Sequence, residues 1–222
     1  MNDDREPTSP SDAVDPAAPS PADMLRLAQQ QTRVVSQQFS RRTVSTMLMW
    51  GVAWFAGFLL VWLSTPQGGA VVPMVFGWIV FSVLMLAAFV GSTFAGTRTS
   101  HGLRGRMYFQ GAVFGWTIFA CGLFPGFLGA ALARAGASDA VLAVYYPGAY
   151  SLIIGALFVV SGAMWNRVAM IVLGGWIMIV GGAVAPFLGA PANYLVMAFA
   201  GGGAFILYGL ILLVGSRWHR AR

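Results

Sequence analysis

The sequence contains no lysine, a single cysteine and two histidines, and only 9% of its 222 residues are charged. One cysteine excludes an intrachain disulfide framework and a CxxC metal site. Without lysine there is no GxxxxGK[ST] phosphate-binding loop, and the histidines, His101 and His219, form no HExxH pair. With 58% hydrophobic residues, the composition is too apolar for a soluble domain and is typical of a membrane protein.

The charges that are present are segregated along the chain. Six of the seven acidic residues lie in residues 1–23, whereas twelve of the thirteen arginines follow them. The net charge of +6 therefore describes basic membrane flanks behind an acidic tail. It does not indicate a nucleic-acid partner.

The chain divides into three predicted parts. Residues 1–21 are rich in Pro, Ser, Asp and Ala, which predicts a disordered cytoplasmic tail. A helix start is predicted at Ser20, because Pro21 suits the first turn and Asp23 can complete a capping box. Residues 22–43 predict a basic amphipathic juxtamembrane helix lying on an anionic leaflet. The alternative is a solvated extension of the first transmembrane helix.

Residues 44–222 form the predicted transmembrane domain, which contains six uninterrupted apolar runs. Each run reaches the ~20 residues that a helix needs to cross ~30 Å of hydrocarbon. No Asp, Glu, Lys, Arg or His falls inside any run, and each such group would be costly at the bilayer centre. The sequence therefore predicts an all-α membrane protein with transmembrane helices at about 45–64, 71–95, 108–132, 143–164, 168–188 and 192–214.

Arginines at the ends of the runs predict the orientation. With a cytoplasmic N-terminus, eleven of the twelve arginines that follow the acidic tail lie inside and only Arg134 lies outside. Six spans then place both termini in the cytoplasm, and we expect a multi-pass protein of the bacterial plasma (inner) membrane. Six of the inner arginines are predicted to contact anionic headgroups or the acidic surface of a partner protein, and the alternative is that they only orient the chain. They are Arg41, Arg42, Arg98, Arg104, Arg106 and Arg167.

The two halves of the transmembrane domain share a short sequence pattern. A shift of 98 residues places Gly77-Trp78-Ile79 on Gly175-Trp176-Ile177 and Gly57 on Gly155. Three spans in each half would make this a 3+3 inverted repeat, the arrangement of many secondary transporters. The alternative is chance identity between apolar sequences.

Glycines are the most regular feature of the runs. Small residues at helical spacing let two helices approach closely in lipid, which predicts a packing role. The predicted packing positions are Gly111, Gly115, Gly122, Gly126, Gly174 and Gly181. Proline inside a span and consecutive glycines weaken a helix, so we expect a broken helix or a cavity at Pro125 and at Gly201, Gly202 and Gly203. The other prolines of the runs lie nearer the span ends, where proline costs little.

No constellation for catalysis, cofactor binding or metal binding appears in the sequence. The predicted function is that of a non-catalytic accessory or scaffold protein whose basic cytoplasmic face contacts lipid or a partner protein. The alternative is a small permease-like transporter of a neutral or lipid-like solute, because the spans lack the carboxylates that ion coupling usually employs. A homo-oligomer is also expected for the transporter, since six spans with short loops bury little surface.

The entry to the first run carries one resemblance. A basic, Gln-rich approach leads into Trp50-Gly51-Val52-Ala53-Trp54 and then a Phe- and Leu-rich run. This resembles the same region of uncharacterised actinobacterial six-span membrane proteins. The resemblance covers about 30 residues. It implies a bacterial inner membrane and carries no activity.

Overall fold

The computed structural model describes residues 20–100 and 106–218, with the backbone alone at 21, 27–42, 96–100, 106–108, 110–111 and 216–218. These residues are mainly helical, and no strand occurs among them. The α-helices are α1 (Pro21–Leu63), α2 (Met74–Ser100), α3 (Arg106–Arg134), α4 (Asp139–Met164), α5 (Val168–Ile179), α6 (Ala185–Leu188), α7 (Ala192–Val196) and α8 (Gly203–Trp218). The predicted tail before Ser20 lies outside the described residues.

The chain forms two compact units, Met1–Phe39 and Ser40–Arg222. In the first unit, the predicted helix start is confirmed. The backbone amide of Asp23 donates a hydrogen bond to Ser20 Oγ at 3.2 Å, and the Ser20 hydroxyl donates to Asp23 Oδ2 at 2.7 Å. The first bond satisfies one of the free amides of the first helical turn, and the second holds the Ser20 hydroxyl against the Asp23 carboxylate.

The second unit contains six helical segments that are long and apolar enough to cross a membrane, which confirms the predicted number of spans. They pair with the predicted runs to within a few residues at most ends. The spans are Thr43–Leu63, Met74–Ala95, Ala112–Arg134, Asp139–Met164, Val168–Leu188 and Ala192–Gly215. The orientation, the cytoplasmic termini and the inverted repeat stay predictions.

The fifth and sixth spans each change helix type part of the way along. In the fifth span, a π-helical segment (Val180–Val184) separates α5 from α6. Pro186 follows two residues later, and because its ring clashes with the preceding turn, a wider turn before it relieves the conflict. In the sixth span, a second π-helical segment (Met197–Gly202) separates α7 from α8.

The core of the second unit is built mainly from the first, fifth and sixth spans. In the most apolar part of the first span, 44% of the residues are buried, against 11% in the second and third spans. The second and third spans instead expose large apolar side chains, among them Phe76, Ile79, Leu86, Trp116 and Phe127. An exposed apolar surface on a membrane-spanning helix is matched to hydrocarbon, so these two spans form the lipid-facing edge of the unit.

Candidate functional site

Glycines on both helices hold α4 directly against α5. A Cβ atom at Gly155 would lie 2.6 Å from the carbonyl oxygen of Gly174, and a Cβ atom at Gly174 would lie 2.8 Å from the amide nitrogen of Val159. Only a hydrogen atom fits at these separations. Gly181 lies in the same interface, where its Cβ position meets the side chain of Ser151. The predicted positions Gly174 and Gly181 therefore both line a helix–helix contact.

The α4 side of this contact was not predicted from the sequence. Gly148, Gly155 and Gly162 recur every seven residues along α4, so they lie on one face of the helix. Gly148 approaches Pro186, and a Cβ atom at Gly162 would lie 2.8 Å from the amide nitrogen of Ile171. The seven-residue spacing is the sequence signal that could have identified this face.

The predicted packing glycines of α3 differ in their surroundings, and they are Gly111, Gly115, Gly122 and Gly126. At Gly115 and Gly122, no heavy atom of the described structure lies within 4 Å of the Cβ position, whereas a Cβ atom at Gly126 would lie 3.7 Å from the Tyr150 hydroxyl oxygen. The surroundings of Gly111 are outside the described part of the structure. Among the described residues, these glycines therefore meet another helix only toward the C-terminal end of α3, and a packing role for Gly115 and Gly122 stays a prediction.

Tyrosine hydroxyls join α4 to α3 at Pro125 and one helical turn before it. Tyr145 donates a hydrogen bond to the carbonyl oxygen of Pro125 at 3.2 Å, and Tyr150 donates to the carbonyl oxygen of Gly122 at 3.1 Å. Pro125 is buried, and α3 continues as an α-helix through it. The region around this proline is thus a hydrogen-bonded helix contact, and a cavity there stays a prediction.

The predicted triple glycine lies where the sixth span crosses α1. Gly201 and Gly202 belong to the second π-helical segment, and Gly203 begins α8. A Cβ atom at Gly202 would lie 2.7 Å from Phe55 Cα, and one at Gly201 would lie 3.0 Å from the Trp54 ring. The first two glycines therefore admit the backbone and the indole of α1, whereas nothing in the described structure lies within 4 Å of the Cβ position at Gly203.

Aromatic rings fill the interior beside this crossing. The Trp54 ring packs edge-on against Phe58 and Phe205, with centroid distances of 5.8 and 5.6 Å, and all three side chains are buried. Phe158 of α4 packs edge-on against Phe205 at 5.4 Å. The neighbourhood of Gly201 and Gly202, where the sequence predicted a broken helix or a cavity, is occupied by apolar rings.

The π-helical segment of the sixth span is fixed from the fifth span by a tryptophan. Trp176 Nε1 donates a hydrogen bond to the carbonyl oxygen of Ala200 at 2.9 Å. A π-helical turn shifts the backbone ladder, and carbonyl groups at such a shift often take a side-chain donor. This bond stabilises the irregular turn and ties the two spans together.

A buried polar contact, which was not predicted from the sequence, links α4 to the start of the sixth span. Asn193 Nδ2 donates a hydrogen bond to the carbonyl oxygen of Ala143 at 2.9 Å. Pro147 lies four residues after Ala143, inside α4, and it has no amide proton to give to that carbonyl. Asn193 therefore supplies the missing donor. From the sequence, Pro147 is a proline near a span end, so no replacement donor for the Ala143 carbonyl is predicted.

One helical turn after Asn193, Met197 of the sixth span meets a second buried polar group, which is Ser151 of α4. Ser151 is fully buried, and its hydroxyl donates to the thioether sulfur of Met197 at 3.7 Å. Sulfur is a weak acceptor, so this hydroxyl is only weakly satisfied. Asn193 and Ser151 therefore place two fully buried polar side chains in the contact between α4 and the sixth span.

The predicted basic residues are only partly described. Arg167 lies exposed in the turn between α4 and α5, beside Asn166, whose φ of 52° is left-handed. The side chains of Arg41, Arg42, Arg98 and Arg106, and Arg104 altogether, lie outside the described residues. Their predicted contact with lipid or a partner protein stays a prediction.

Within the described residues, no group of three or more His, Cys, Asp or Glu side chains is placed to hold a metal ion. Cys121 is a free, partly buried thiol on α3. Comparison with protein families, with curated protein sequences and with solved structures finds no match to this chain. The geometry of the bundle is therefore the basis for any functional assignment.

Proposed function

We propose that the protein is a non-catalytic accessory or scaffold protein of the bacterial plasma membrane, with a basic cytoplasmic face that contacts anionic lipid or a partner protein. The main support is the crossing of α1 and the sixth span. A solute path would need polar surface where helices are irregular, yet beside Gly201 and Gly202 the space is taken by the α1 backbone and the Trp54 ring. The irregular helix serves close packing.

The contact between α4 and α5 supports the same proposal. Alternating access requires one part of a bundle to rock against another around a central site. Backbone atoms in direct contact at Gly155, Gly162 and Gly174 leave little freedom for such a movement. These two helices are suited to move as one body and to present a fixed surface.

The basic face follows from the positions of the arginines. Arg106 is the first residue of α3 and Arg134 is the last, so the two mark opposite ends of one transmembrane helix. Arg106 belongs to the larger group of arginines at the proposed cytoplasmic end, and Arg134 stands by itself at the other end. Each arginine near an anionic leaflet adds about 1 kcal/mol of attraction, so several together can retain a headgroup that one cannot.

Lipid retention tests this assignment. The protein is purified in detergent from membranes containing phosphatidylglycerol, and bound lipid is measured by native mass spectrometry. We expect Arg106→Gln to lower phosphatidylglycerol retention about fivefold, the equivalent of ~1 kcal/mol. Arg134→Gln is the matched control at the other end of α3 and should leave retention unchanged. Equal retention by wild type and both variants would refute a lipid-binding basic face.

The alternative function is a small permease-like transporter of a neutral or lipid-like solute. Its support is the presence of two π-helical segments in neighbouring spans, since such segments are frequent at functional sites. Solute counterflow in proteoliposomes distinguishes the two functions. The scaffold proposal expects no flux above that of empty liposomes, and flux that Trp176→Phe abolishes without unfolding the protein would favour the transporter.

A further inference from the structure

The hydrogen bond to the Ala143 carbonyl group fixes the orientation of the Asn193 side-chain amide. The acceptor at 2.9 Å is the Ala143 carbonyl oxygen, and a carbonyl group cannot donate. The atom facing it must therefore be the amide nitrogen, which places Oδ1 on the other side of the side chain. The usual exchange of the two amide atoms is excluded at this position.

Oδ1 of Asn193 has no hydrogen-bond donor within the described part of the chain, and the residue is 1% exposed. In the other buried polar side chains of the described bundle, no side-chain nitrogen or oxygen lacks a hydrogen-bond partner. Each of them donates to an acceptor, and they are Ser64, Thr65, Ser151 and Ser161. A buried carbonyl without a donor is destabilising, and such groups usually have an ordered water or another ligand as partner.

We infer that Asn193 Oδ1 is the acceptor of a buried site for one small O–H donor, held between α4 and the sixth span. Two independent observations point to this site. Asn193 Oδ1 has no hydrogen-bond donor among the described residues. The Ala143 carbonyl, which has no donor at Pro147, binds Asn193 Nδ2 and so prevents the amide from rotating to give Oδ1 another partner. The class of ligand follows from the chemistry, because hydrocarbon chains carry no donor. Water is the smallest ligand of this class, and a neutral hydroxylated solute is the other source.

The place of the site in the span is consistent with water. Asn193 lies in the first turn of the sixth span, two residues after Pro191, and therefore near one membrane surface. Neighbouring Tyr194 packs edge-on against Trp78 and stacks on Phe58, which closes the apolar side. A water molecule can reach this depth from the interface, where it would replace the donor that the chain does not supply. This inference does not depend on the scaffold proposal.

Isotope-edited infrared spectroscopy tests the site without altering it. The sequence has three asparagines, Asn2, Asn166 and Asn193. A protein with Asn2→Ser and Asn166→Ser, labelled with ¹³C at the asparagine side-chain carbonyl, reports Asn193 alone. The spectrum of the Asn2→Ser protein, which retains Asn166, is compared with that of the double variant. Their difference is the band of the exposed, hydrated Asn166 amide, which serves as a matched reference. Both are measured in lipid nanodiscs without added solute.

We expect the Asn193 carbonyl band at or below the frequency of the Asn166 band, because accepting a hydrogen bond lowers the stretching frequency. A band that stays at the higher frequency of a free carbonyl, both without and with an added polyol, would overturn the inference. In the same sample, we expect the Asn193 Nδ2 protons to show magnetisation transfer from bound water in NMR spectra. A bonded carbonyl without this transfer would exclude water, and a band that becomes bonded only when a polyol is added would identify the solute as the donor.

Discussion

Gly155 of α4 and Gly174 of α5 bring two helix backbones into direct contact, since the Cβ position of the first lies 2.6 Å from the carbonyl oxygen of the second. In lipid, association between helices depends on van der Waals packing and on hydrogen bonds, because the apolar surroundings give no hydrophobic force. Close contact along α4 and α5 is therefore the main attraction between them. The consequences for stability can be measured at neighbouring glycines that differ only in their surroundings.

Gly174 and Gly175 provide such a pair. Gly174→Ala places a methyl group 2.8 Å from the Val159 amide nitrogen, so we expect a loss of about 1–3 kcal/mol in the free energy of unfolding from overpacking. Gly175→Ala meets no heavy atom within 4 Å and should instead stabilise the helix by about 0.5–1 kcal/mol. Unfolding by sodium dodecyl sulfate in mixed micelles measures both. Two changes of the same sign would contradict this packing arrangement.

Trp176→Phe removes the hydrogen bond to the Ala200 carbonyl oxygen while keeping an aromatic ring. Interhelical hydrogen bonds in membranes are worth about 0.6 kcal/mol on average, and we expect a destabilisation of that size. Trp116→Phe is the control, because Trp116 lies exposed on α3. An equal effect of the two substitutions would show that the Trp176 bond contributes nothing specific to the π-helical segment.

The tyrosines of α4 give a third comparison. Tyr145→Phe and Tyr150→Phe each remove a hydrogen bond to an α3 carbonyl oxygen, and each should cost about 0.6 kcal/mol of unfolding free energy. Tyr146→Phe should cost less unfolding free energy. The Tyr146 hydroxyl lies against Gly129, and among the described residues it makes no observed hydrogen bond. Unfolding in mixed micelles again provides the measurement. A larger loss for Tyr146→Phe than for the other two would contradict this assignment.

The orientation leads to a prediction that is independent of packing. In a Cys121→Ala background, cysteine at Gln67, in the exposed turn after α1, should react with an impermeant thiol reagent added outside intact cells. Cysteine at Ser100, which follows the second span, should react only after the cells are opened. The reverse pattern would refute the cytoplasmic termini and the basic cytoplasmic face.

The number and the approximate limits of the spans could be predicted from the sequence because apolar length alone determines them. The face of the fifth span that contains Gly174 and Gly181 could also be predicted, since small residues on a membrane helix mark close approach. The seven-residue spacing of Gly148, Gly155 and Gly162 marks a similar face on α4. Which helix that face meets is known only from the structure, in which α4 lies antiparallel against α5.

The environment of a polar residue was harder to predict than its presence in a span. A proline inside a helix frees a carbonyl group, but the donor that replaces the lost bond lies elsewhere in the chain. Ala143 and Asn193 are fifty residues apart, and nothing local in either segment indicates that they meet. Likewise, consecutive glycines weaken a helix in isolation, yet at Gly201 and Gly202 they admit the neighbouring α1.

Entry of a water-soluble reagent past Asn193 to Ser151, one helical turn deeper in the contact between α4 and the sixth span, tests most directly whether the bundle is closed. Ser151→Cys is nearly isosteric and lies at a fully buried position beside Gly181 and Met197. In a Cys121→Ala background in proteoliposomes, we predict that this cysteine stays unmodified by a small water-soluble thiol reagent, reacting only after unfolding in detergent, while a cysteine at Gln67 reacts at once. Rapid modification at position 151 in the folded protein would contradict the packed scaffold and favour a solute path.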